Sequence, residues 1–243
     1  MKSAYKAMPY MQSPPGINPA EWNIICDFDG TITPFDVTDA ILDTFALREW
    51  ENIEEDWLQG RITGRECMKN QVALIHASQA ELDVFLDSVP IDEGFYDFTR
   101  HCVAHGFKLF IVSDGMDYAI RRVLVRHNLH TIPVIANRLV FQGGNKYTLE
   151  FPFGVEGCGS GVCKCGVAGT KDKKILLIGD GHSDCCIAGK ATFTLAKEDK
   201  ELLRHCTHKG YPCQAYGNFF DVCALLKAHS EPSTREDNKA CAV

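Results

Sequence analysis

The 243-residue sequence contains no run of ~18 consecutive apolar residues, the length that a membrane-crossing helix needs. Met1 to Gly16 holds no unbroken apolar segment of the kind a secretory signal carries. A dense lysine or arginine stripe is also missing, and the formal net charge is −7. These absences argue against a membrane span, against export, and against a nucleic-acid backbone as main partner. The expected setting is the cytoplasm, and the expected partner is a small anionic molecule held by local positive charge. No repeat and no long linker divides the chain. Its 45% hydrophobic and 23% charged content is that of an ordinary globular protein.

Cysteine, by contrast, is abundant. There are twelve, with Cys158, Cys163 and Cys165 clustered in CGSGVCKC and Cys185 next to Cys186. A reducing compartment favours free thiols, buried as small hydrophobes. The 158/163/165 spacing departs from the paired C-x₂-C form of common zinc sites, so it reads as structural, with zinc as the alternative.

Trp22–Cys26 (WNIIC), Lys108–Ser113 (KLFIVS) and Lys174–Gly179 (KILLIG) are short apolar runs, the first leading into a carboxylate-rich turn and the other two directly into Asp and Gly. They read as buried strands that deliver polar loops to one edge of a parallel sheet, where ligands of such sheets bind. Between the first two, Val37–Leu47, Glu51–Leu58, Arg65–His76 and a run from Ser78 to Leu86 have helical spacing, with breaks at Gly60 and Gly64. This predicts a helical cap over 37–100, inserted into a core formed by 21–36 and 101–228. The pattern LVFQGGNKYTLEF across Leu139–Phe151 predicts a hairpin turning at Gly143-Gly144-Asn145. Thr192–Leu195 and Gln214–Tyr216 are candidate short strands, and Asp199–Cys206 and Asn218–His229 candidate helices. Residues 1–20 and 229–243 read as a loose leader and a polar tail.

The chemistry concentrates in those loops. DFDGTIT places Asp27 and Asp29 two residues apart after a strand, with Gly30 to turn the chain. A carboxylate nucleophile can attack phosphorus, and a second carboxylate can protonate the leaving oxygen and then activate water. Two aspartates and a phosphate ester repel each other, so a divalent cation, Mg²⁺ by its preference for hard oxygen, is the expected cofactor. Asp180 and Asp184 in GDGHSD supply carboxylates at i and i+4; the plainer reading makes them a turn residue and a helix cap. Ser113 in IVSDG can donate to a phosphoryl oxygen, and Gly115 leaves room for backbone amides. Lys164 can place positive charge on the phosphoryl group. Lys171, Lys173 and Lys174 are rivals that read better as a solvated face. His182 reads as a solvent-facing loop residue; Met116 and Asp117 are candidates to line the substrate. Phe45, Trp50 and Trp57 read as packed helix faces.

DFDGT, IVSDG, a lone lysine and GDGHSD occur in the order found in the haloacid dehalogenase superfamily, which this chain resembles from about Asn23 to Ala224. The resemblance implies an α/β fold, a Rossmann-like parallel sheet with helices on both faces plus the inserted cap. It implies a phosphatase with Asp27 as nucleophile and Asp29 as general acid and base. Ser113, Asp114, Gly115 and Lys164 would hold phosphate. Asp27, Asp29 (through its carbonyl) and Asp180 would hold the metal, with Asp184 supporting them. Cap position and pattern resemble the phosphoserine-phosphatase branch, and within it the methionine-salvage 2-hydroxy-3-keto-5-methylthiopentenyl-1-phosphate phosphatases, through WLQGRIT…Q, the hairpin ending in Phe151-Pro152, and Cys-Gly…Cys-Lys.

Phosphoserine phosphatases place a glutamate after the nucleophile and an arginine in the cap. Asp36 and Gln71 stand there in this chain. A neutral amide is no fitting partner for a carboxylate, which disfavours phosphoserine unless Arg65 substitutes. Asp29 argues against a dehalogenase. A phosphonatase would need a cap lysine, for which Lys69 is the candidate. A mutase keeping both aspartates and a non-catalytic metal-binding protein are the remaining alternatives.

Overall fold

The computed structural model describes residues 15–168 and 173–230. Seven strands form one sheet in the order β4-β3-β2-β1-β5-β6-β7. They are β1 (Trp22–Cys26), β2 (Lys108–Met116), β3 (Val134–Phe141), β4 (Tyr147–Glu150), β5 (Lys174–Gly179), β6 (Phe193–Lys197) and β7 (Cys213–Tyr216). All neighbours run parallel except β3 and β4, which form the hairpin.

Side-chain alternation explains why the central strands are continuously apolar. Ile24 and Cys26 of β1, Ile111 of β2, and Leu176 and Ile178 of β5 join the larger core. Ile25, Val112, Ile175 and Leu177 point to the other face and join a second core with Ile187, Leu202 and Cys206. A parallel sheet covered on both faces needs apolar residues at every position.

Five helices lie between β1 and β2, and the first four are α1 (Val37–Phe45), α2 (Trp50–Leu58), α3 (Gly64–Val72) and α4 (Gln79–Asp87). Local chemistry sets where they begin. Asp36 caps α1 by accepting from the Asp39 amide, and Thr63/Glu66 and Ser78/Glu81 form reciprocal capping boxes on α3 and α4. Arg122 joins α4 to α6 (Asp117–Arg126) through Asp87, 2.6 Å away, and Asp83.

Two helices go beyond those expected from the sequence, α5 (Gly94–His105) and α6. α5 crosses the boundary expected at residue 100 as one helix, and packs on α10 (Phe219–His229), with Phe95 and Phe98 against Phe219 at 4.8 and 5.3 Å. Strand β2 runs on through Asp114 and Gly115 to Met116, with an irregularity in its pairing to β3 after Val112. The strand of the hairpin begins at Val134, five residues before the expected Leu139. The remaining helices are α7 (Lys164–Val167), α8 (Cys185–Ala188), entered through a 3₁₀ turn over His182–Asp184, and α9 (Glu201–Lys209).

Residues 17–20 are not loose. Ile17 is buried, bridges Ser230, and donates its amide to the His229 carbonyl at 2.7 Å. Residues 1–14 and 231–243 of the expected leader and tail, and Lys171, lie outside the described residues. No described helix is long and apolar enough to cross a membrane.

Candidate active site

β1, β2 and β5 are adjacent and parallel, so their carboxyl ends open onto one edge. The Asp27 amide donates to the Ile178 carbonyl at 2.9 Å, fixing the first loop against the third. At that edge the Lys164 ammonium, fully buried, lies 2.7 Å from Asp27 Oδ2 and 2.7 Å from Asp184 Oδ1. Burial opposes a charge on Lys164, but Asp184 and Asp27 more than offset it and hold its pKa above the ordinary lysine value.

Asp27, Asp180 and Asp184 each offer an oxygen within 4.8 Å of the others. Burial and the Asp27 charge raise the Asp184 carboxyl to about 7, although Lys164 pulls the other way. Asp180 is raised by the same two causes, while the Thr31 hydroxyl, donating to its Oδ1 at 2.8 Å, partly relieves it. Lys164 thus pairs with two of the three carboxylates, while Asp180 feels the charges of Lys200 and Lys197. The all-oxygen donor set and the uncompensated negative charge fit a hard divalent cation.

Two glycines are dictated by close approach. Gly30 adopts φ +67°, and a Cβ there would stand 2.5 Å from Asp180 Oδ2. At Gly115 an added Cβ would stand 2.5 Å from Asp29 Oδ2 and 3.2 Å from Ser113 Oγ, so the Asp29 carboxylate rests on bare backbone. Asp29 Oδ1 accepts from the Val37 amide at 2.9 Å. Burial, then the Asp36 carboxylate, push the Asp29 carboxyl well above the usual range, against that amide. It is a carboxyl that keeps its proton to higher pH than Asp29 would in water, as a proton donor requires.

Ser113 is buried and accepts from the Gly115 amide at 3.0 Å. Asp114 is tied to neighbouring backbone and side-chain amides. It accepts from the Val162 amide at 2.6 Å and from Asn137, and so ties the end of β2 to the loop that carries Lys164.

The candidate residues on the helices have other partners. Gln71 is buried and donates to Glu54 Oε2 at 2.8 Å, so its amide is engaged within α2 and α3. Arg65 donates to the carbonyls of Val155, Cys158 and Ser160 at 3.1 to 3.3 Å and lies over the Phe151 ring. That guanidinium braces the loop through these carbonyls. Asp36 caps α1 and is exposed. Trp57 also departs from expectation: its ring meets the exposed His182 edge-to-face at 5.9 Å, linking α2 to the GDGHSD loop. Phe45 and Trp50 pack on the larger core as expected. Lys69 is exposed, and Lys174 pairs with Glu21 on the surface.

Sequence reasoning missed Thr31, Ser183, Asn137 and Lys197. Ser183 donates to Asp27 Oδ2 at 3.4 Å, and Lys197 donates to the Gly30 carbonyl at 2.7 Å. Thr31 and Ser183 stand inside the two motifs and were within reach of that reading; Lys197 carries no local signal. Among the described residues the Cys158, Cys163 and Cys165 thiols do not form a metal-capable trio, although Cys163 and Cys165 are 3.5 Å apart.

Comparison with known proteins agrees with this arrangement. Residues 24–188 match the family of haloacid dehalogenase-like hydrolases. The 2-hydroxy-3-keto-5-methylthiopentenyl-1-phosphate phosphatase of Brevibacillus brevis is 30% identical over 212 residues, covering 84% of this chain and 94% of that protein. Pdp3-interacting factor 1 of Schizosaccharomyces pombe is 24% identical, covering 82% and 92%. Among solved structures, a phosphoserine phosphohydrolase-like protein from Francisella tularensis superposes with a TM-score of 0.63 at 22% identity, over 84% of this chain and 99% of that one. A phosphoserine phosphatase solved as a phospho-aspartyl intermediate analogue gives 0.61 at 18%, over 84% and 97%. The apposed strand ends, their aspartates and these likenesses agree: the chain belongs to the haloacid dehalogenase-like hydrolase family, on its phosphatase side.

Proposed function

We propose that this protein is a Mg²⁺-dependent phosphomonoester hydrolase acting on a small phosphorylated metabolite through an aspartyl-phosphate on Asp27. The observation that carries the reading is the buried Lys164 ammonium, 2.7 Å from both Asp27 and Asp184, beside a third carboxylate on Asp180. In this reading the ammonium holds the nucleophile in place beside a cation site.

In this reading Asp27 attacks phosphorus in line with the leaving oxygen, and Asp29, kept protonated by burial, gives its proton to that oxygen. The bond between phosphorus and the ester oxygen breaks as that between phosphorus and Asp27 forms. Asp29, now a carboxylate, then takes a proton from water, which attacks phosphorus and releases phosphate and free Asp27. Ser113, the backbone at Asp114 and Gly115, and Lys164 hold the phosphoryl oxygens. Asp27, the Asp29 carbonyl and Asp180 would hold Mg²⁺, with Asp184 orienting Lys164 and the loop. Bound there, Mg²⁺ supplies charge neutralisation and alignment of the phosphoryl group. Helices α1 to α4 act as the cap that excludes bulk water, and Trp57 on His182 is one of its contacts.

The named substrate of the bacterial relatives, 2-hydroxy-3-keto-5-methylthiopentenyl-1-phosphate, heads the list of metabolites to test. A specific observation favours a second substrate type. Asp36 and Asp39 stand exposed beside each other at the start of α1, and Glu54 is among the charged neighbours of Asp39. A phosphate ester bearing a cationic group would complement that acidic wall.

The test is hydrolysis of an aryl phosphate by wild type and Asp27→Asn, with and without Mg²⁺, followed by kcat/KM over a panel of the methylthio-keto phosphate, phosphoserine, phosphocholine and sugar phosphates. Turnover that needs Mg²⁺ and vanishes in Asp27→Asn supports the reading. Undiminished turnover in that variant rules it out, and transfer of the phosphoryl group to a second sugar would make the protein a mutase.

A further inference from the structure

Beside the acidic trio lies a second group of side chains with different chemistry. His182, Cys185 and Glu201 each offer one ligand atom, imidazole nitrogen, thiol sulfur and carboxylate oxygen, all within 4.8 Å of one another. We propose that these three residues form a binding site for a borderline-soft divalent ion, zinc by class, separate from the hard-cation site of Asp27, the Asp29 carbonyl and Asp180. The proposal does not depend on the phosphatase reading.

Donor chemistry separates the two groups. Mg²⁺ takes oxygen ligands and keeps its waters, whereas nitrogen, sulfur and carboxylate together suit zinc. Three protein ligands with an open fourth position is a common zinc arrangement. In a tetrahedral site with bonds of ~2.0–2.3 Å, neighbouring ligand atoms stand about 3.3–3.8 Å apart. His182 Nδ1 and Glu201 Oε1 are already 3.1 Å apart, so ion entry asks only for small shifts. Both side chains are more than half exposed, at 66% and 52%, so an ion has a path in and the side chains have room to move.

The backbone holds the three in register. His182 and Cys185 are three residues apart on the turn entering α8, which puts them on one face. Glu201 opens α9, and the next residue, Leu202, donates its amide to the Asp180 carbonyl at 2.9 Å. Leu202 and Ile187 share the second core, so the start of α9 is fixed to the GDGHSD segment by a hydrogen bond and by packing. The Trp57 ring against His182 restrains the imidazole from the side of α2. Side chains fixed by packing and by outer contacts are what a metal site needs before the metal arrives.

The site is tested on the full-length protein by titration with cobalt(II), whose bond to thiolate gives an ultraviolet charge-transfer absorption, followed by displacement with zinc(II) in excess Mg²⁺. The expected result is an absorption that saturates at one cobalt per chain, disappears on adding zinc, and is absent from Cys185→Ser. His182→Ala and Glu201→Gln should weaken binding at least about tenfold. Asp180→Asn and Cys165→Ser should keep it, and circular dichroism should find every variant folded. No absorption at equimolar cobalt, absorption that survives Cys185→Ser, or loss in Asp180→Asn or Cys165→Ser with Cys185→Ser unaffected would each overturn the proposal. Should Cys185→Ser misfold, the Glu201→Gln titration decides the matter, because that side chain is exposed and unchanged affinity there also overturns it.

Discussion

Lys164 is equidistant from Asp27 and Asp184, at 2.7 Å from an oxygen of each, and is fully shielded from solvent. One ammonium therefore bridges two buried carboxylates, and its charge opposes the burial that raises the Asp184 carboxyl. Lys164→Met should lower kcat by ~10²–10³-fold, the usual loss when a charge aimed at the reacting group is removed. It should also destabilise the fold by about 3–5 kcal/mol at pH 8. In the variant, Asp184 has a folded-state pKa above its unfolded one. The stability deficit therefore shrinks at pH below the unfolded value and grows as pH rises through the folded one. Urea unfolding of wild type and variant across pH 5 to 8 checks the sign; a deficit largest at low pH would contradict it.

Mg²⁺ binding should weaken with acidity. Burial and the Asp27 charge raise Asp180 and hold the neighbouring Asp184 at about 7, so the cation competes with protons at Asp180 and its charge favours the ionised form of Asp184. Calorimetric titration of Mg²⁺ should give a Kd that rises as pH falls from 8 to 6, by up to about tenfold per pH unit for each proton displaced. Binding unchanged over that range would separate the cation from these carboxylates.

Asp29→Asn should slow hydrolysis of alkyl phosphates by ~10²–10⁴-fold and of aryl phosphates, whose leaving groups need little protonation, far less. In wild type the rate should fall as pH rises through the elevated Asp29 pKa, and the variant should lose that descending limb. Asp36→Asn removes the second cause of the elevation and should move the limb to lower pH. The pH profiles of kcat/KM on the two ester types provide the check.

Gly115→Ala introduces a methyl group where Asp29 Oδ2 lies 2.5 Å away. The backbone there is outside the left-handed region, so the cost falls on the carboxylate's position. We expect kcat to drop by up to ~10²-fold with a small change in Tm, since displacement of a reacting group by about 1 Å has that effect. Paired kinetic and thermal-unfolding measurements separate the two.

The strands β1 and β5 are legible end to end because burial on both faces demands an unbroken apolar run, and their motif aspartates follow at fixed spacing. α5 is not legible for a physical reason. Its sequence, GFYDFTRHCVAH, is rich in aromatic and β-branched residues and opens with glycine, so its helicity comes from packing Phe95 and Phe98 on α10. α6 does carry an apolar stripe at Ala119, Ile120, Val123 and Leu124, but the Asp114-Gly115 pair just ahead of it signals a turn and conceals the onset. The partners of Gln71, Arg65 and Lys197 were beyond any local pattern. Lys197 meets Gly30 across 167 residues of chain, and Arg65 finds carbonyls about 90 residues on.

That last contact bears on how relatives of this protein can be recombined. Arg65 belongs to α3, while the carbonyls it holds belong to the segment that runs into Lys164. A chimera that imports only residues 37–93 from a relative with different specificity would break this joint and leave the lysine-bearing segment unsupported. The natural unit of exchange is discontinuous: the helices and residues 152–162 have to be transplanted together.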